Sequence, residues 1–178
     1  MSERQAKRMA EQNYKRITGY VRSRDGLRKV LVFVYKYLPY PVFVAYPALL
    51  AVLFVLYLQG RVGLVLLIKE IAIPAGAFLL ITLFRKLFNK RRPYEKYNFE
   101  PIVKKNKTGE SFPSRHAGSV FIIAMGFLYV NIPLGVIFLS IGVIMSLSRV
   151  LCGVHFPKDV ISGAVFSILV GWIFFFLI

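Results

Sequence analysis

The sequence Ser148-Arg-Val-Leu-Cys-Gly-Val-His-Phe-Pro-Lys-Asp159 lies between two strongly apolar segments. It contains His155, one of only two histidines in the chain, and Asp159, the only acidic residue after Glu110. Polar groups at membrane depth are costly and usually have a function. This short polar sequence therefore indicates the centre around which the rest of the chain is organised.

The composition predicts an integral membrane protein with an all-α fold. Of the 178 residues, 57% are hydrophobic, and the mean hydropathy is +0.60. Values this high are typical of helical membrane domains rather than of soluble ones. The first apolar run begins near Val30, behind a basic arm and without a small-residue cleavage site, so we expect no cleaved signal peptide. We expect a multi-pass protein of the cell membrane.

The formal charge of +16 is clustered instead of spread over one face. Nine of the 24 Lys and Arg residues fall in residues 1–29, and nine more fall in residues 85–107. Basic clusters beside apolar spans indicate anionic lipid headgroups or a phosphorylated ligand. No nucleic-acid-binding motif is present, so we expect no nucleic-acid partner. The single cysteine, Cys152, excludes an internal disulfide.

The hydropathy pattern predicts a basic N-terminal arm at residues 1–29 and a membrane-embedded domain at residues 30–178. For the arm we favour a solvated segment, with a helix lying on the bilayer surface as the alternative. About 20 apolar residues cross the hydrocarbon core. On this basis we predict a bundle of about five spans, with six as the alternative. The five predicted spans are residues 40–58, 62–84, 112–131, 134–151 and 157–178, the first of them preceded by an interfacial or kinked segment.

Counting crossings places three polar clusters on the same side of the membrane. The first begins at Arg85 and includes Arg92. If the second span stays helical past Phe84, these two arginines are seven residues apart and share a face. Two guanidiniums on one face can clamp phosphate oxygens. The alternative is an ordinary basic membrane flank.

The second cluster is Pro113-Ser114-Arg115-His116. Serine after proline is a good N-cap, so a helix is predicted to begin here. The free N–H groups at a helix start can bind phosphate, and His116 would lie in that first turn. A capping serine with an interfacial histidine is the equally weighted alternative.

The third cluster is the sequence around His155. Pro157 suits the first position of a helix, which puts Asp159 in the first turn, where its carboxylate can reach back to the His155 ring. That contact would fix the tautomer of His155 and leave the other nitrogen free to attack. Arg149 adds a cation, although the helix dipole alone also favours arginine at a helix end.

Together the three clusters resemble the signature of the type 2 phosphatidic acid phosphatase superfamily in order and spacing, over about residues 85–178. The matching residues are Arg85 at the lysine position of the first motif with Arg92-Pro93, then Pro113-Ser114-Arg115-His116, then Ser148-Arg149 with His155 and Asp159. The chain departs from the pattern at two positions, with Arg85 for lysine and Arg115 for glycine. Lys86 is an alternative occupant of the first position.

The resemblance implies a helical membrane enzyme that hydrolyses a phosphomonoester or pyrophosphate through a phosphohistidine, with no metal ion and no cofactor. Members commonly have six spans. The implied catalytic residues are His155 as nucleophile, His116 as acid and base, and Asp159 as the group that orients His155. The implied substrate-binding residues are Arg85, Arg92, Ser114, Arg115 and Arg149.

We therefore predict a membrane lipid phosphatase, of bacterial type by its small size. Its expected partners are membrane lipids and a lipid phosphate substrate such as phosphatidylglycerophosphate, phosphatidate or polyprenyl pyrophosphate. The alternative is a non-catalytic membrane protein that binds or moves anionic lipids. The histidine pair with an orienting aspartate favours the enzyme, because binding alone needs no nucleophile. The sequence specifies no oligomeric state.

Overall fold

A computed structural model describes residues 3–105 and 107–178, and its regular secondary structure is helical. The helices are α1 (Glu3–Ser23), α2 (Asp25–Tyr37), α3 (Pro39–Leu58), α4 (Leu64–Phe88), α5 (Pro93–Tyr97), α6 (Arg115–Val130), α7 (Ile132–Leu151) and α8 (Pro157–Gly171). A short π-helical segment, Trp172–Leu177, extends α8.

Among the described residues, four helical stretches are long and apolar enough to cross a membrane. They are Asp25–Leu58, Leu64–Tyr97, Ile132–Leu151 and Pro157–Leu177. The fifth apolar helix, α6, has only 16 residues. The predicted all-α, multi-pass membrane bundle is thus confirmed, and α6 occupies the position of the third predicted span.

Helix α6 forms the centre of the bundle. All of its residues from Ala117 to Phe127 are buried, and it packs against α4, α7 and α8. A helix that is apolar on every face is stable when other helices enclose it. Its enclosed position fixes where the polar N-terminal turn of α6 lies relative to the ends of its neighbours.

The functional-site candidates come together at one end of this bundle. One cavity is lined by Arg85 near the end of α4, His116 in the first turn of α6, Arg149 near the end of α7 and His155 just before α8. The C-terminal ends of α4 and α7 therefore lie beside the N-terminal ends of α6 and α8. The expectation that the three polar clusters share one side of the membrane agrees with this arrangement.

Glycines allow the helix backbones to approach closely. A Cβ atom on Gly135 would lie 2.3 Å from the Cα of Leu128, and one on Gly163 would lie 2.6 Å from the carbonyl oxygen of Ser114. Small residues at such contacts are typical of helix packing in membranes. The contact at Gly163 sets the separation of α8 from the first turn of α6.

Lys69 and Glu70, the charged residues inside the second predicted span, do not pair with each other. The Glu70 side chain is fully buried, and its Oε2 would be 2.5 Å from a Cβ placed on Gly126. The Lys69 ammonium instead donates to the carbonyl oxygen of Phe175 at 3.4 Å. These contacts belong to helix packing, away from the cavity.

The N-terminal arm forms a helix that packs on the loops near the cavity. The ring of Tyr14 in α1 contacts the rings of Tyr97, Phe99 and Phe156, at centroid distances of 5.8, 5.5 and 5.9 Å. The favoured expectation of a solvated segment missed this packing, because the aromatic partners lie more than 80 residues away in sequence. Helix α2 runs across residue 29, and the division into two domains at residues 29 and 30 stays a prediction.

We predict that Gly163→Ala destabilises the bundle, because the new methyl group meets the Ser114 backbone. Overpacking of a tight contact costs about 1–3 kcal/mol. Thermal unfolding of the purified protein in detergent should therefore show a melting temperature several degrees lower. The matched control is Gly76→Ala in α4, where a Cβ has nothing within 4 Å. An equal effect of the two substitutions would contradict the close approach at Gly163.

Candidate active site

A small polar cavity of about 90 Å³ opens at the end of the bundle where the three clusters meet. Both histidines and four of the arginines line it. The complete lining is Tyr35, Arg85, Arg92, Lys105, Lys107, Arg115, His116, Arg149 and His155. Residues far apart in sequence thus form one cationic site that holds two imidazole rings.

Asp159 lies directly behind His155. The Nδ1 atom of His155 is 3.5 Å from Oδ2 of Asp159, and both side chains are buried. With Nδ1 facing the carboxylate, Nε2 is the ring nitrogen that remains for the cavity. Burial lowers the pKa of His155 to about 4, against the opposing effect of the hydrogen bond to Asp159. The ring is therefore neutral at pH 7, as a nucleophile must be.

Ser111 is a member of this arrangement that the sequence analysis missed. Its hydroxyl donates to Oδ2 of Asp159 at 2.5 Å, and the Phe156 N–H donates to the same oxygen at 3.0 Å. The other carboxylate oxygen, Oδ1, has no hydrogen-bond partner among the described residues. No local pattern marks Ser111, because its partner lies 48 residues further along the chain.

Three arginines of the cavity are held by backbone carbonyl groups. The hydrogen bonds run from Arg85 to Pro113 at 3.0 Å, from Arg92 to Gly109 at 3.1 Å and Val154 at 3.4 Å, and from Arg149 to Tyr35 at 3.5 Å. All three residues are buried. A guanidinium has five N–H donors, so each arginine keeps further donors for a ligand.

Arg85 and Arg92 do not share a helix face, which corrects one expectation. Helix α4 ends at Phe88, and Asn89 adopts a left-handed conformation with φ of 35°. Arg92 instead precedes the short helix α5 as its N-cap residue. The two arginines meet because the chain turns back over the end of α4. Arg85 lines the cavity, whereas Lys86 is exposed, so Arg85 is the one of these two residues that reaches the cavity.

Glu95 organises the loop that carries Arg92. Its carboxylate accepts hydrogen bonds from the Arg92 N–H at 2.7 Å and from the Gly109 N–H at 3.0 Å. The hydroxyl of Tyr94 also donates to the carbonyl oxygen of Lys107. Two separate parts of the loop are thereby joined beside the cavity. Sequence reasoning missed this role because a single glutamate in a basic loop carries no distinctive pattern.

The second cluster divides into a capping residue and two cavity residues. Ser114 is the N-cap of α6, and its Oγ accepts a hydrogen bond from the Ala117 N–H at 3.5 Å. Ser114 is buried, and its side chain is not part of the cavity lining. Arg115 and His116 both line the cavity, and the Arg115 guanidinium lies 5.6 Å from the centroid of the Phe78 ring.

The outer part of the cavity contains further cations that were not predicted to take part. Lys107 pairs with Glu110 at 2.7 Å, and Arg85 lies 3.8 Å from the same carboxylate. The hydrogen bond from Lys107 holds the pKa of Glu110 below its ordinary value. Within residues 3–105 and 107–178 there is no group of three or more His, Cys, Asp or Glu side chains that could hold a metal ion.

The chain is similar in sequence to two phosphatases. It is 26% identical to the undecaprenyl-diphosphatase BcrC of Bacillus subtilis, over 91% of this chain and 80% of that protein. It is 30% identical to the lipid A 1-phosphatase of Rhizobium etli, over 53% of this chain and 41% of that protein. The second match therefore spans less than half of the relative's length.

The fold is also that of a solved membrane phosphatase. The crystal structure of the PAP2-type phosphatidylglycerolphosphate phosphatase of Bacillus subtilis superposes with a TM-score of 0.67 at 22% identity, over 94% of this chain and 83% of that one. The family model of the PAP2 superfamily matches residues 49–178, which is well over half of the sequence. These residues include both histidines, Asp159 and all four arginines of the cavity, and the chain belongs to the PAP2 superfamily.

Proposed function

We propose that the protein is a membrane lipid phosphatase that forms a phosphohistidine at His155 and uses no metal ion. The observation that carries this proposal is the cavity in which two imidazoles and four guanidiniums meet, with the Asp159 carboxylate behind one ring. A cluster of cations binds a phosphate group, and the carboxylate-supported imidazole adds a nucleophile that binding alone does not need.

In the first step, Nε2 of His155 attacks the phosphorus atom in line with the bond to the lipid oxygen. The new P–N bond forms as the P–O bond breaks, and His116 gives a proton to the leaving oxygen. Asp159 stabilises the positive charge that develops on the His155 ring. The lipid product leaves with its oxygen protonated, and the phosphoryl group stays on His155.

In the second step, His116 takes a proton from a water molecule, which attacks the phosphorus of the phosphohistidine. The P–N bond breaks, inorganic phosphate is released, and His155 returns to its neutral form. One residue serves first as acid and then as base, as microscopic reversibility allows. Both rings line the same cavity, which supports this division of roles.

The arginines supply the charge stabilisation that phosphoryl transfer requires. Arg85, Arg92 and Arg149 are fixed by backbone carbonyls before any ligand arrives. Donors held in position stabilise transition-state charge without reorganisation. The same positive charge repels a divalent cation, which supports hydrolysis without a metal ion.

An apolar groove beside the cavity supports a lipid as the substrate. The groove has a volume of about 390 Å³ and is lined by residues of α3, α4 and α6, among them Tyr46, Pro74 and Phe78. Arg115 connects the two sites, since it lines the cavity while its guanidinium lies over the Phe78 ring. The names of the relatives point to several candidates, namely a polyprenyl diphosphate, lipid A and phosphatidylglycerophosphate.

We predict that the purified protein releases phosphate from at least one of these lipids and that a chelator has no effect on the rate. His155→Ala should lower the rate by at least about 1,000-fold, because the nucleophile is removed. The measurement is phosphate release in detergent micelles with and without EDTA. Dependence on added Mg²⁺, or activity retained in His155→Ala, would refute the mechanism. No release from any of the lipids would instead favour an anion-binding protein.

His116→Ala should stall the second step. With p-nitrophenyl phosphate, whose leaving group needs little protonation, we expect a burst of about one nitrophenol per protein molecule. Later turnover should be slowed roughly 10²–10⁴-fold, the usual contribution of general acid–base catalysis. The trapped phosphate should be acid-labile, and the His155→Ala/His116→Ala double variant should show no burst. A His116→Ala protein without any burst would mean that His116 is needed in the first step even with this leaving group, and it would contradict the predicted stall in the second.

Ser111→Ala should lower kcat/KM about tenfold or more, because a hydrogen bond to a buried carboxylate contributes about 1.5–3 kcal/mol. The loss in activity arises from a less well oriented Asp159, and the lost hydrogen bond should also lower the melting temperature by several degrees. The matched control is Ser146→Ala, whose buried hydroxyl has no hydrogen-bond partner among the described residues. Equal activity of the two variants would mean that Ser111 does not support Asp159.

A further inference from the structure

Tyr35 reaches the cavity from α2, outside residues 49–178, which match the family model. Its side chain is buried, and its ring centroid lies 3.9 Å from Cζ of Arg149. A guanidinium at this distance over an aromatic face is held by a cation–π interaction. Tyr35 is therefore in direct contact with one of the arginines of the site.

The backbone of Tyr35 also holds Arg149, and the sequence explains why. In a helix, the carbonyl of Tyr35 would accept a hydrogen bond from the N–H four residues later. That residue is Pro39, which has no N–H group. The carbonyl oxygen is left free and accepts from a terminal nitrogen of Arg149 at 3.5 Å. The break between α2 and α3 thus creates the acceptor.

The Tyr35 ring contacts a second cation of the same cavity. The Nζ atom of Lys105 lies 5.7 Å from the ring centroid, and Lys105 and Arg149 both line the cavity. Two cations close together repel each other, and the negative face of an aromatic ring offsets part of that repulsion. The ring therefore supports the charge of the site as well as its geometry.

Helix α2 is packed so that the ring stays in place. Tyr35 and Leu31 form a buried apolar cluster with Val21 of α1 and with Cys152 and Val154. The last two residues lie three residues and one residue before His155. Arg22 of α1 adds an ion pair with Glu100 at 2.9 Å. The two N-terminal helices are thus attached to the segment that carries the histidine.

We propose that Tyr35 is a positioning residue that holds Arg149 in the anion cavity, so that α2 forms part of the phosphate-binding site. The ligand class is a phosphate group, whether on a lipid or free in solution. The inference rests on the proposed function only in taking the bound phosphate group to be hydrolysed afterwards. Phosphate binding itself does not require hydrolysis. A direct binding measurement therefore tests it separately from turnover.

The first test uses calorimetry to measure the affinity of the purified protein in detergent for inorganic phosphate. Tyr35→Leu should weaken binding about tenfold, within the range of cation–π contributions. Tyr35→Phe keeps both the ring and the backbone carbonyl, so its affinity should stay within about twofold of wild type. The matched control is Tyr37→Leu, which removes an exposed tyrosine of the same helix and should leave affinity unchanged. Equal affinities of Tyr35→Leu and wild type would overturn the proposal.

A double-mutant cycle decides whether Tyr35 acts through Arg149. In an Arg149→Met background, which removes the cation over the ring, Tyr35→Leu should cause less than about a threefold further loss of phosphate affinity, because coupled residues are non-additive. A full additional tenfold loss would overturn the proposal. If the wild-type protein hydrolyses no lipid phosphate but the cycle is non-additive, the proposed function fails while the role of Tyr35 stands. If the protein hydrolyses a lipid phosphate but the cycle is additive, the proposed function stands and the role of Tyr35 fails.

Discussion

Buried arginines need hydrogen-bond acceptors, and this requirement shapes the end of the bundle where the cavity lies. A guanidinium removed from water without a partner is strongly destabilising. Carboxylates in direct contact would satisfy Arg85, Arg92 and Arg149, but they would also neutralise the charge that a phosphate ligand uses. The Glu110 carboxylate lies 3.8 Å from Arg85 and is paired more closely with Lys107, at 2.7 Å. Backbone carbonyl oxygens offer only a partial charge, so the arginines are held and the site stays cationic.

Carbonyl oxygens are most available as acceptors where regular structure is interrupted. Inside a helix each carbonyl already bonds to the N–H four residues later. The carbonyl of Gly109 lies in the irregular loop before α6, that of Val154 lies between α7 and α8, and that of Tyr35 is freed by Pro39. Breaks between helices therefore collect around the cavity. This explains why long loops and short helices occur at this end of the bundle.

The sequence predicted the membrane bundle and most of the residues that meet at the cavity, because both follow from local patterns. Ser114, expected to bind substrate, is instead buried as the N-cap of α6 and does not line the cavity. Apolar runs indicated the spans, and the capping role of Ser114 followed from its position after proline and before a helix. The path of the chain was harder to predict. The left-handed Asn89 redirects the chain before Arg92, whereas the sequence analysis assumed a continuing helix. Tyr35 and Ser111 could not be foreseen, since their partners are 114 and 48 residues away.

The lining of the cavity limits what it can recognise. Six of its nine lining residues are arginine or lysine, two are histidine and one is tyrosine. Such a lining binds the phosphate group, which all the candidate lipids share. Under the proposed function, the cavity therefore recognises the charge but not the identity of the lipid. Selection among lipids then depends on the border of the cavity, where Arg115 replaces the glycine of the family pattern and contacts the groove residue Phe78.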